Sequence, residues 1–170
     1  GWFFLPWHRM YLGYLERIVA ATVKQLGGPA DWALPYWNYS DASNSNAGRL
    51  PPAFRADKTP DGEANPLLIP ERNLASGDNA NLGNIIVDAD DIHLNCLLEA
   101  QFSLNQLGGT FGFGGRKRKN HLGGSGTGRL ESMPHNTIHM QVGGDDFAAL
   151  GWMSDPSTAA LDPIFWLHHA

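Results

Sequence analysis

Apolar residues in the first part of the chain recur at three- and four-residue steps. Tyr11, Leu15, Ile18, Thr22 and Leu26 form one mostly apolar stripe, the period of an amphipathic helix. The spacing predicts a helix from about Trp7 to Leu26, ended by Gly27-Gly28-Pro29. His8 stands three residues before Tyr11 and so points with the stripe; a lone histidine there is more often a hydrogen-bonded core residue than a ligand. Residues 39–83 are rich in Asn, Asp, Ser, Gly and Pro and read as one long irregular connection, a length that tends to be functional or to wrap a surface.

A second helix is predicted from about Asp90 to Leu107, with Ile92, Leu97, Ala100 and Leu104 facing inward and Gly108-Gly109 closing it. The glycine-rich, basic stretch 108–128 reads as loop. A third helix is expected to start near Pro134, a residue tolerated in the first turn, and to end before Gly143-Gly144. A fourth opens at Asp162-Pro163, an N-cap residue followed by proline at the first helical position. Strand signals are weak, and no internal repeat is visible.

At 170 residues the chain has the length of one domain, and its 42% hydrophobic and 17% charged residues are an ordinary globular balance. A net charge of −5 argues against nucleic acid as a partner. The basic run Arg116–Lys119 sits between glycine pairs and reads as a solvated loop. No apolar stretch approaches the roughly 18 to 20 residues of a membrane span, so no membrane partner is expected. Cys96 is the only cysteine, which excludes an internal disulfide and leaves a buried small hydrophobe as the favoured reading. The apolar opening Gly1-Trp2-Phe3-Phe4 and the close at His168-His169-Ala170 lead us to expect an internal fragment of a longer chain.

Four of the seven histidines lie in segments built around them. His135 and His139 are four apart, so on a helix both rings share one face and can reach one ion. Imidazole suits zinc, copper, iron and nickel. A zinc-protease helix would carry Glu after the first histidine as general base; Asn136 stands there. His168 and His169 diverge by about 100° on a helix, so one is expected to be a ligand and the other a neighbour in the surroundings or substrate cavity. Phe165, four residues before His169, shares its face and would supply an apolar wall. His93 and His121 sit in no recognisable site pattern and are read as structural or surface histidines.

Phe4-Leu5-Pro6-Trp7-His8-Arg9, followed by Leu12 and Glu16, resembles the first copper signature of tyrosinases. Asp162-Pro163-Ile164-Phe165-Trp166-Leu167-His168-His169 resembles the second. Leu34-Pro35-Tyr36-Trp37-Asn38-Tyr39 is similar to the family's Leu-Pro-Tyr-Trp-Asp-Trp segment, and residues 128–139 resemble the helix that carries two ligands of the second copper. Four ordered matches span nearly the whole chain.

The resemblance implies a mainly α fold: a four-helix core around a dinuclear copper site, with long irregular loops. It implies two copper ions, each with three imidazoles, that take up dioxygen and act on a phenolic or catecholic small molecule. His8 matches a ligand of the first ion (CuA). His135, His139 and His169 match those of the second (CuB), the family pattern selecting His169 over His168. Phe165 matches an aromatic residue packed against the site. Glu131 and Asn136 match a pair that holds a water able to take the phenol proton. Two further CuA histidines are expected upstream of Gly1, and an Asp-Arg pair after Ala170. Two other readings stand beside this one. A haemocyanin-like carrier would use the same site to bind dioxygen reversibly. A zinc hydrolase would use His135, His139 and His169 and leave His8 unexplained.

Overall fold

A computed structural model describes residues 1–72, 85–104, 111–117 and 126–170. The chain is helical, with only two isolated bridges, Arg49 to Ile86 and Lys58 to Ala64, among the described residues. The mainly α class therefore holds. Three α-helices are formed, α1 over Phe4–Gln25, α2 over Thr137–Gly143 and α3 over Ile164–His169; they carry His8, His139 and His168–His169, and His135 stands in the turns just before α2. No helix among the described residues is long and apolar enough to cross a membrane.

Helix α1 begins three residues earlier than its apolar period predicts, and only half of its stripe meets the body. Tyr11 packs on Trp166 with ring centroids 4.7 Å apart, and Leu15 is half-buried. Ile18 and Leu26 stay 65% and 82% exposed, so the expected burial of that half does not occur. The reason is geometric. The contacts of α1 lie toward its start: His8 and Tyr11 pack on α3, and Glu16 Oε2 accepts the Leu34 amide at 3.1 Å.

The helix expected over Asp90–Leu107 is not formed. Two short 3-10 turns, Ala89–Asp91 and Asn95–Leu98, take its place, and residues 105–107 lie outside the described residues. Polar side chains here compete with the helix for the backbone. Asp88 accepts the Asp90 amide at 2.9 Å, and His93 Nδ1 accepts that of Asn95 at 3.4 Å. The amides of Phe113 and Gly114 then bond the carbonyls of Gln101 and Phe102 at 3.0 and 2.7 Å. Of the expected inward residues Ile92 is buried, while Leu97 is 62% exposed.

The stretch 108–128 is loop where described, but its backbone is tightly placed. A side chain on Gly115 would stand 2.6 Å from the Gly126 carbonyl oxygen, and one on Gly128 would overlap the Gly115 amide nitrogen, so the two stretches approach only because Gly115 and Gly128 have none. Arg118, Lys119 and His121 lie outside the described residues. Of the basic run, Lys117 is exposed. His93 is exposed as well, and Cys96 is buried within its 3-10 turn, 4% exposed.

The core lies between α2, α3 and the irregular segment. Ile138 and Val142 on α2 and Ile164 on α3 are fully buried, joined by Leu50, Val87 and Met153. Trp37 plugs the Leu34–Tyr39 segment into it: its amide bonds the Leu167 carbonyl at 2.9 Å and its indole N–H that of Ala47 at 2.9 Å. Before α2 the chain takes π-helical turns over Glu131–Asn136, broken at Met133 (φ −148°, ψ 125°). A residue preceding proline is pushed out of the helical region and into the extended one, which places the break one residue before Pro134. At α3 the Asp162 carboxylate accepts the Ile164 amide at 3.0 Å, as a start-of-helix acid should.

Candidate metal centre

His8, His135, His139 and His169 are each held from behind by a carbonyl. His8 Nδ1–H donates to the Phe4 carbonyl at 2.9 Å, and His169 Nδ1–H to that of Phe165 at 2.7 Å, both four residues back on the same helix. His135 Nδ1 meets the Glu131 carbonyl at 3.3 Å and the Asn136 side-chain oxygen at 2.8 Å. His139 turns the other way and donates to the Met153 carbonyl at 2.5 Å. A carbonyl can only accept, so the proton of each neutral ring sits on Nδ1 and Nε2 is left as a bare lone pair.

Those lone pairs converge. His169 Nε2 lies 2.9 Å from His135 Nε2 and 3.5 Å from His139 Nε2. His8 stacks on His169 with ring centroids 4.5 Å apart and planes within 19°. Facing lone pairs repel unless a cation lies among them. Two nitrogens each ~2.0–2.1 Å from one ion stand ~2.8–3.5 Å apart at near-tetrahedral or narrower angles, which spans the two distances found here. The donor set therefore fits an imidazole-binding metal ion, and the backbone bonds on the far nitrogens are what such ligands need to hold their orientation.

Burial keeps the cluster uncharged. It pushes His135 down to about 3, with help from neighbouring His139, and His139 down to about 4. Burial also lowers His169 and His8. Neutral rings at neutral pH are the form that binds metal.

His168 behaves differently. Its ligating atoms lie in the same group as those of His135, His139 and His169, all within 4.8 Å. Yet its ring stacks on His135 at 5.2 Å, and neither of its nitrogens has a hydrogen-bond partner within the described residues. Burial, and then the charge His169 would carry, keep it well below its ordinary value.

Two cavities flank the cluster. One of about 660 Å³ is lined by Arg9, Glu16, Tyr39 and His168. The other, of about 720 Å³, is lined by Glu131, Asn136, His135, His139, Met153 and Phe165. Phe165 lies against His169 with centroids 3.9 Å apart. The Glu131 carboxylate pairs with the Gly1 amino group, and Asn136 is exposed. Glu131, Asn136, Phe165 and His168 thus border the histidine cluster, on one side or the other.

The family described as the common central domain of tyrosinase matches residues 1–170. The chain belongs to this family. A tyrosinase of Hahella sp. is 40% identical over 178 residues, covering 99% of this chain and 34% of that protein. A chloroplastic catechol oxidase B of Solanum tuberosum is 30% identical, covering the whole chain and 28% of the relative. The chain therefore spans about a third of these relatives' length. The crystal structure of the Vitis vinifera (Grenache) polyphenol oxidase superposes with a TM-score of 0.63 at 28% identity, covering 99% of this chain and 48% of that one.

Within this tyrosinase central domain, three contributors were not singled out in the sequence. The Met153 carbonyl is a backbone atom, which any residue type could supply. Phe4 packs on both His8 and His135, with centroids 4.5 Å from each. Its signal was present: Phe-x-x-x-His occurs at Phe4/His8 and again at Phe165/His169. Tyr39 faces His168 at 5.9 Å and is raised to about 12 by burial.

Proposed function

We propose that this chain is the copper-binding part of an enzyme that oxidises phenols or o-diphenols to o-quinones with dioxygen. The observation that carries the reading is the meeting of the His135, His139 and His169 Nε2 atoms beside the His8 ring. His135, His139 and His169 would hold one copper ion, and His8 would contribute to a second. Copper held by neutral imidazoles supplies reversible one-electron change and a place for dioxygen to bind.

The chain's own residues do the rest. The cavity of about 720 Å³ has the size of a small-molecule site. Phe165 gives it an apolar wall against which an aromatic ring can lie, and Met153 and Ala160 line it too. A phenol, with a pKa of about 10, arrives protonated. Glu131 and Asn136 border the same cavity and would hold a water that accepts this proton. Asn136 has a second task, since its oxygen fixes the His135 ring at 2.8 Å.

Metal analysis and catechol turnover of the whole protein test the reading. Two coppers per chain with turnover are expected. One zinc without turnover would replace it with a hydrolase, and reversible dioxygen uptake without turnover with a carrier. Glu131→Gln is expected to lower monophenol turnover by roughly tenfold or more, and o-diphenol turnover much less. Equal losses on both substrates would remove the water-holding role of Glu131.

A further inference from the structure

We propose that Arg72 is a positioning residue for the metal site, setting the place of His169 through the carboxylate of Asp162. The proposal rests on the copper reading above and concerns how that site is held. Arg72 and Asp162 are both completely buried. The Arg72 Nε donates to Asp162 Oδ2 at 2.8 Å and Nη2 to Oδ1 at 2.6 Å, a two-pronged bond. Nη1 and Nη2 also donate to the carbonyls of Phe54 at 3.0 Å and Leu67 at 3.2 Å. The guanidinium thus gathers three separate stretches of chain around one carboxylate.

That carboxylate starts α3. Asp162 Oδ1 also accepts the Ile164 amide, and its carbonyl that of Phe165, both at 3.0 Å. α3 runs over Ile164–His169. Asp162 holds its first turn, and His169 lies further along the same helix. The neighbouring Glu71 carbonyl accepts the Trp152 amide at 3.0 Å. Residues 71 and 72 therefore brace both the start of α3 and the turn whose Met153 carbonyl holds His139.

Neither Arg72 nor Asp162 lines the two cavities beside the histidines. A buried ion pair is seldom more stable than a well-packed apolar pair in its place. What the planar fork adds is orientation, because only one arrangement satisfies both prongs.

The test uses the full chain and reads copper affinity by chelator competition, with the ligand-field absorption of the Co(II)-loaded protein as a second readout. Arg72→Met is expected to weaken copper binding by roughly tenfold or more, as loss of supporting contacts around metal ligands does, and to shift the cobalt bands. Leu50→Ala, a core truncation at a residue 1% exposed, lowers the melting temperature without removing any of the bonds that hold Asp162. It should leave affinity and bands as they are. Arg72→Lys keeps the charge without the fork and should lie between; if Arg72→Met does not fold, Arg72→Lys carries the test against the same control. Unchanged affinity and bands in a folded Arg72 variant overturn the proposal, as does an equal effect from Leu50→Ala. A chain that binds no copper even unmodified takes away the copper reading, and this proposal with it.

Discussion

His169→Ala is expected to cost the second copper, lowering affinity at that site by well over roughly 100-fold and stopping phenol oxidation. His169 Nε2 is the atom shared by both short contacts, 2.9 Å to His135 and 3.5 Å to His139. Without it the imidazoles of His135 and His139 remain, and two neutral nitrogens hold an ion far more weakly than three. Loss of a group that merely supports a ligand already costs about 10–100-fold, so loss of the ligand itself should exceed that. His168→Leu is the informative partner. His168 lies in the same cluster, but its nitrogens are tied to nothing within the described residues, whereas the other three rings are each aimed by a bond from behind. It should keep the full complement of copper. Removing two unpaired buried nitrogens should also leave the melting temperature level or higher. Metal content by elemental analysis and a thermal melt of both variants check the pair. Copper retained in His169→Ala and lost in His168→Leu would reverse the assignment.

The parts legible in the sequence were those carried by side-chain type at a fixed spacing. His135 and His139 needed only the helical period to be placed on one face, and Asp162-Pro163 announced the start of α3. The failures have the opposite character. Ile92, Leu97, Ala100 and Leu104 keep a helical period, yet Asp88 and His93 capture nearby amides and the glycine-rich stretch offers Gln101 and Phe102 better partners. Period describes which face could be buried; it does not say whether the backbone has a competing offer. On α1 the period was real and the helix formed, but nothing among the described residues covers Ile18 or Leu26. Arg72 was invisible for a third reason. It sits in a run of turn residues with no pattern around it, and its partner is 90 positions away. The Met153 carbonyl could not be found from sequence at all, being main chain.

That last contact can be tested through a neighbour. Gly143 ends α2, and a side chain there would overlap the Ser154 amide nitrogen and hydroxyl and stand 2.9 Å from the Met153 carbonyl carbon. These are mostly main-chain atoms of the turn Trp152–Ser154, which cannot rotate aside as a side chain would. The turn is also bonded in place: Gly151 donates to the Gly143 carbonyl at 2.7 Å, and the Ser154 hydroxyl reaches the carbonyls of His139 and Gly144 at 3.1 and 2.5 Å. Gly143→Ala must therefore push the whole turn outward and draw the Met153 carbonyl away from His139 Nδ1. Overpacking of this kind costs about 1–3 kcal/mol, so a melting temperature lower by roughly 5 °C is expected. Copper affinity should fall about tenfold, because the bond that aims His139 is stretched. Gly13→Ala serves as the contrast. Its added carbon meets nothing within 4 Å in the middle of α1, and exchanging glycine for alanine there should raise stability by about 0.5–1 kcal/mol with copper binding unaltered. If Gly143→Ala loses stability but binds copper as tightly as before, the Met153 carbonyl holds the turn together without aiming the ligand.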